Sequence, residues 1–164
     1  MGIGAVVVKS PGGAIQMAHT FTDLLTHLVF STKDRVPLIR EQLRTPLFPY
    51  MAGICRELGA HTYIINGPAD HVHLLLTMPH TVAVSDFLRV LKANSSKWIR
   101  EQFPREAFAW QIGYGAFSVS RSDFEDVEQY IRDQEKHHQK MDFKREFIAL
   151  LKKHGLEPDE YIWE

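Results

Sequence analysis

Hydrophobic and polar positions change period several times along this chain. Residues 21–32, FTDLLTHLVFST, are rich in Thr, Leu, Val and Phe and predict a strand. Residues 41–58 place apolar side chains at 43, 47, 51, 54 and 58, close to a helical repeat, with Pro46 and Pro49 confining the regular part to the second half and Gly59 as the stop. Two strands follow, 60–67 and 71–78, joined across Gly67-Pro68-Ala69-Asp70. Residues 83–103 predict a helix that turns Phe87, Val90, Leu91, Trp98 and Ile99 inward, weakened in its middle by Asn94-Ser95-Ser96. Residues 107–120, AFAWQIGYGAFSVS, alternate aromatic and small side chains and predict a strand pair or a bent strand, Gly113 and Gly115 marking a bulge or a close approach. In 120–140 a capping box, Ser122 with Glu125, predicts a helix start, and Phe124, Val127 and Ile131 form its apolar stripe.

Two strand-helix-strand halves followed by a further helix predict an α+β fold: a ferredoxin-like (RRM-like) antiparallel sheet with helices on one face and the other face free for ligands. The first sixteen residues hold one charge, Lys9, and a Pro-Gly-Gly break, so residues 1–16 are expected to be an appendage, although AVVV could add a strand, and 17–164 the single domain.

Composition narrows the class without deciding it. A chain of 164 residues that is 45% hydrophobic fits one domain with a substantial core. It has no apolar run long enough to span a membrane. The single cysteine, Cys55, has no disulfide partner within the chain and is expected to be a buried thiol, which suits a reducing cytoplasm. A formal net charge of −1 argues against a wholly basic protein that coats nucleic acid, while leaving room for a local basic surface.

The candidate chemistry lies in 71–78, HVHLLLTM. In a strand, His71, His73, Leu75 and Thr77 share one face, and Val72, Leu74, Leu76 and Met78 the other. One face is therefore a core face and the other carries two parallel imidazoles, which can converge on a divalent metal. The plainer alternative is one surface histidine and one that hydrogen-bonds locally. Tyr130 and Gln134 lie four apart on one helix face, about 60° from the apolar stripe, placed to meet a neighbouring sheet face. By themselves they read as a packing residue and a solvated one.

Taken together, DHVHLLL and, some fifty residues on, YIRDQEKHH resemble the single-tyrosine HUH transposases of short insertion sequences and REP-associated elements. The similarity extends to HLVFSTKDRVPLI, WQIGYGAFSVS and the closing YIW. The resemblance implies a homodimer acting on single-stranded DNA at hairpin-containing element ends. It also implies Tyr130 as nucleophile, forming a 5′-phosphotyrosine, and His71, His73 and Gln134 as ligands of Mg²⁺ or Mn²⁺. The tyrosine helix of one subunit can then complete the site of the other.

Remaining polar residues divide between ordinary and functional readings. His137 and His138 are expected mainly as solvated helix residues, and His27 as a packed or hydrogen-bonded one. Lys33, Arg35, Lys92, Arg132 and Lys136 are candidate DNA contacts, a solvated face being the equal alternative for the helical ones. Two other function classes compete with the transesterase: a metal-dependent nuclease in which water attacks, and a non-catalytic, domesticated nucleic-acid-binding module. All the groups needed for catalysis are present, which favours an enzyme.

Overall fold

The fold comes from a computed structural model that describes residues 20–159, together with the backbone of two short strands, β1 (Val8–Lys9) and β2 (Ile15–Gln16), paired antiparallel. Apart from those strands, the expected appendage 1–16 lies outside the described residues, as does the closing YIW.

Four strands build the central sheet: β3 (Leu25–Ser31), β4 (His61–Asn66), β5 (His71–Thr77) and β6 (Gly115–Ser118), in the order β4-β5-β3-β6 and antiparallel throughout. This is the expected ferredoxin-like order. β5 is central and pairs residue by residue with β3, so that His73 lies opposite Val29 and His71 opposite Ser31.

Period-2 alternation in β5 sorts the two faces as anticipated. Val72, Leu74, Leu76 and Met78 join one core with Leu28 and Phe30, roofed by α1 (Glu41–Glu57) and α2 (Val84–Gln102). α1 runs through both Pro46 and Pro49, further than expected. Burial of Leu43, Leu47, Met51 and Ile54 outweighs the hydrogen bonds that the prolines remove, since each fully buried aliphatic side chain is worth about 1.5–3 kcal/mol. α2 is also continuous through Asn94-Ser95-Ser96. The Ser95 hydroxyl donates to the Leu91 carbonyl at 2.6 Å and accepts from Trp110 Nε1 at 2.9 Å, so its polarity is satisfied inside the core.

The histidine face is covered rather than open. α3 (Phe124–Arg132), α4 (Gln134–His138) and α5 (Phe143–Lys153) fold onto it. Ile131 packs on Leu25 and Leu75, with Phe124 and Val127 beside it, while Phe143, Phe147 and Leu151 pack on Val29 and Phe117. The reason is the apolar stripe of α5, which has nowhere else to be buried. The capping box does not form: Ser122 bonds Ser120 instead, a 3₁₀ turn spans Arg121–Asp123, and α3 starts after it. Gly115 is the close approach, because a Cβ there would lie 2.7 Å from the Phe147 ring and 2.9 Å from Val29. Among the described residues no helix is long and apolar enough to cross a membrane.

Candidate active site

Both histidines of β5 are fully buried, and each is held by its Nδ1. His71 Nδ1 lies 2.7 Å from Asp70 Oδ1, and since a carboxylate only accepts, Nδ1 carries the hydrogen and Nε2 presents its lone pair. His73 Nδ1 shares a hydrogen bond of 2.8 Å with Nε2 of His27, a buried residue of β3. His27 is thus hydrogen-bonded, as expected, and its partner is the site itself. Both Nε2 atoms consequently point inward to one spot.

That spot is occupied by Glu146 of α5, which is 4% exposed. Its Oε2 lies 3.1 Å from His71 Nε2 and 2.7 Å from His138 Nε2, and its Oε1 lies 3.2 Å from His73 Nε2. His71 Nε2, His73 Nε2 and Glu146 Oε2 are nonetheless misaligned for hydrogen bonds and are buried without one. Ligating atoms of His71, His73, His138 and Glu146 all fall within 4.8 Å of one another. Lone pairs that converge on a point without bonding each other are what a divalent cation needs, and a mixed nitrogen and oxygen donor set suits Mn²⁺ and tolerates Mg²⁺. The outward Nδ1 partners, Asp70 and His27, supply the support that fixes ring orientation in metal sites.

Tyr130 enters from α3. Its hydroxyl donates a short hydrogen bond to Glu146 Oε1, so one carboxylate touches both the phenol and the imidazoles. Gln134 is fully buried one turn on: its Nε2 donates to Glu146 Oε1 at 3.1 Å and its Oε1 faces His138 Nε2 at 3.0 Å. The amide therefore meets Glu146 and His138 rather than the inward nitrogens of the β5 pair. His138 is part of the cluster and not the solvated helix residue expected, whereas His137 is exposed, with its ring 4.9 Å from that of Tyr130.

Charge and burial oppose each other here. Burial pushes the Glu146 carboxyl up, but its three neighbouring imidazoles outweigh this and hold it well below the usual carboxylate range. Burial, helped by the neighbouring His71 and His138 and only partly offset by Glu146, lowers His73 to about 4. For His71 burial is overcome by Asp70 and Glu146, and its pKa rises. Tyr130 is raised, first by burial and then by the negative Glu146 beside it, so it rests as a neutral phenol.

Of the candidate DNA contacts, Lys33 and Arg35 lie in a 3₁₀ turn directly after β3, near the His71 end of the sheet, where Thr32 N donates to the Asp70 carbonyl at 2.8 Å. Asp34 and Arg35 both have positive φ, 55° and 56°, an uncommon conformation for side-chain-bearing residues. Arg132 pairs with Glu128 at 2.8 Å and Lys136 with Asp133 at 3.3 Å on the solvent side. Lys92 belongs to the opposite helical layer. Its Nζ donates to the carbonyls of Gln111, Ile112 and Gly113, and burial brings its pKa down to about 8.

Glu146 escaped the sequence reading, yet it left a signal. In DFKREFIALLKK an apolar stripe runs through Phe143, Phe147 and Leu151, and Glu146 lies on its edge, a buried position where an acid is rare unless partnered.

Comparison with known proteins bears on the chain's kinship and fold. Residues 20–134 match the model of the family described as "Transposase IS200 like". The transposase for insertion sequence element IS200 of Salmonella typhimurium is 28% identical over 129 residues, covering 75% of this chain and 84% of that protein. The ISDra2 transposase TnpA of Deinococcus radiodurans is 25% identical over 114 residues, covering 66% and 81%. Among solved structures, a Deinococcus radiodurans R1 protein described as a transposase superposes with a TM-score of 0.59 at 24% identity, over 73% of this chain and 96% of its own. A REP-associated tyrosine transposase bound to a REP hairpin superposes with a TM-score of 0.57 at 13% identity, over 75% and 73%. The two structures bear on the fold, and the match over residues 20–134 bears on kinship, since it takes in the histidine strand, the tyrosine and the glutamine together. This chain belongs to the IS200-like transposase family and is an enzyme of its tyrosine-transposase class.

Proposed function

We propose that the protein cleaves and rejoins single-stranded DNA through a covalent 5′-phosphotyrosine on Tyr130, with a divalent cation, Mg²⁺ or Mn²⁺, held at the His71–His73 centre. One observation supports this above others: the Tyr130 hydroxyl and the two inward imidazole nitrogens meet on the same buried carboxylate. The residues that would hold the ion are His71 and His73, with Glu146 and His138 completing the set and Gln134, the ligand expected by resemblance, bracing both. When bound, such an ion polarises the scissile phosphate and stabilises charge on the departing 3′ oxygen.

The chain's own groups do the rest. Glu146 Oε1 fixes the phenolic oxygen, and α3 carries it to the edge of the metal centre. Attack forms the Tyr130 O–P bond and breaks the P–O bond to the 3′ oxygen; the phenolic proton passes to Glu146 Oε1, which accepts its hydrogen bond, and the 3′ oxygen takes up a proton and leaves as a hydroxyl. Because a phenolate is a better leaving group than an alkoxide, the strand can be rejoined from this state. The substrate proposed is single-stranded DNA at element ends that contain hairpins, in keeping with the hairpin bound by the REP-associated fold relative. Lys33, Arg35, Arg132 and Lys136 are proposed to steer its backbone, and Lys92 to act there only indirectly, through the 111–113 loop.

A homodimer through the outer edge of β6 is part of this proposal. That edge pairs with no strand among the described residues, and the adjoining Ile112 is 95% exposed. Because Tyr130 and the histidine pair converge within one chain, each subunit would carry its own site. Incubation with Mn²⁺ and single-stranded DNA bearing the element's own ends should yield a protein–DNA adduct, and Tyr130→Phe should abolish it while the fold and DNA binding persist. Cleavage by Tyr130→Phe would assign the attack to water and refute the transesterase.

A further inference from the structure

Beside the Tyr130 side chain a cleft of about 660 Å³ opens between α3 and α5, a volume suited to a small organic ligand. Val127 of α3 and Ala149 and Leu150 of α5 form its apolar walls, with Tyr130, His138 and Glu146 shared between the cleft and the metal centre. Besides Asp123, which precedes α3, two charged side chains carried by the helices themselves line it as well. Asp126 is one turn before Tyr130 on the same helix, a spacing that puts both on one face, and Lys153 lies on the facing helix. Among the described residues neither makes an ion pair, with the other or with anything else.

A phosphodiester that reaches Tyr130 brings a nucleoside on each side. On the β5 side the histidines are fully buried and the Phe143 ring lies tilted against His71, with ring centroids 4.3 Å apart, so that flank is closed. One of the two nucleosides must then occupy the α3–α5 cleft. Its walls match the demands of a nucleotide: apolar surface for the faces of a base, an ammonium group for a phosphate and a carboxylate for the base edge. A carboxylate only accepts hydrogen bonds. It can therefore receive an exocyclic amine of cytosine, adenine or guanine, whereas the carbonyls that flank the thymine ring nitrogen repel it.

We propose that this cleft binds the unpaired nucleotide next to the scissile phosphate, and that Asp126 is a specificity residue favouring an amino-bearing base over thymine. The inference rests on the transesterase reading for which phosphate is meant, but the cleft's preference can be read by binding alone.

The test uses the full chain carrying Tyr130→Phe, to prevent turnover, with Mn²⁺ and fluorescent deoxy-octamers of cytidylate, adenylate or thymidylate. Anisotropy should show the cytidylate and adenylate probes binding about tenfold more tightly than thymidylate, the lower end of what one good base contact supplies. Asp126→Asn, whose amide can donate to a thymine carbonyl, should flatten that ratio, and Leu150→Trp, which fills the cleft, should weaken all three probes. Thermal melts and Mn²⁺ affinity should match the Tyr130→Phe parent in both variants, showing that fold and metal centre are intact. Equal binding of the three probes by the parent, or a ratio unchanged by Asp126→Asn, would overturn the proposal. If the chain with its tyrosine forms no adduct while the ratio and its loss in Asp126→Asn persist, the transesterase falls and the base-selective cleft stands.

Discussion

Replacing Glu146 by Gln is the most discriminating perturbation of the centre, because it keeps shape and volume while removing the negative charge that three imidazoles, the Tyr130 hydroxyl and the Gln134 amide surround. Glu146 faces His71 at 3.1 Å, His73 at 3.2 Å and His138 at 2.7 Å, and accepts from the Tyr130 hydroxyl. If it is a metal ligand, the loss should be at least as large as that for supporting groups around metal sites, which runs to about 10–100-fold. The expectation is a fall of about 100-fold in Mn²⁺ affinity, or about 2.7 kcal/mol. Gln134→Ala, which removes a brace behind Glu146, should lie near the lower end of that range, about tenfold. Calorimetric titration with Mn²⁺ reads both, and thermal melts establish that each variant is folded. Adduct formation at saturating Mn²⁺ should remain impaired in Glu146→Gln, since an amide holds the phenol less well than a carboxylate does. Mn²⁺ affinity within twofold of the parent, in folded Glu146→Gln, would refute the assignment of Glu146 and leave His71, His73 and Gln134 as the set. An affinity lost more by Gln134→Ala than by Glu146→Gln would do the same.

Three other expectations probe different parts of the molecule. If each chain builds its own site, as proposed, mixing Tyr130→Phe with His71→Ala chains, with subunit exchange verified, should restore no cleavage; recovery would show that α3 crosses between subunits. Gly115→Ala forces a Cβ to 2.7 Å from Phe147 and 2.9 Å from Phe117 and Val29, and overpacking of this kind costs about 1–3 kcal/mol. The melting temperature should fall by several degrees, and Mn²⁺ affinity should fall too, because the displaced helix carries Glu146; an unchanged melt would show that α5 yields freely. Burial pushes the Cys55 thiol up to about 11, which leaves about one thiolate in a thousand at pH 8. Iodoacetamide should therefore label Cys55 far more slowly in the native protein than in denaturant, and equal rates would show that the α1 core opens readily.

Local periodicity was enough to place β3, β4, β5 and α2 to within a few residues, and to put His71 and His73 on the face opposite Val72, Leu74 and Leu76. A strand's alternation and a helix's repeat are short-range properties, written in adjacent side chains. The Tyr130–Gln134 pairing was legible for the same reason, although its meaning came from resemblance to a family and not from spacing. Short-range signals failed where distant burial competed with them. Pro46 and Pro49 sit inside α1 because the core holds that helix straight, and the Ser122 capping box is unused because α3 is positioned by Ile131 on Leu75.

The candidate centre itself belongs to the tertiary structure. His27, His71, His73, Tyr130, His138 and Glu146 come from β3, β5, α3, α4 and α5, and beyond the alternation that pairs His71 with His73 no periodicity links one element's residues to another's. What joins them is the need of Phe143, Phe147 and Leu151 to be buried, which lays α5 across the sheet and brings Glu146 between the imidazoles and the phenol. A polar residue at the edge of an apolar stripe announces that it is buried. Only the packing of the helix on the sheet decides which donors it meets.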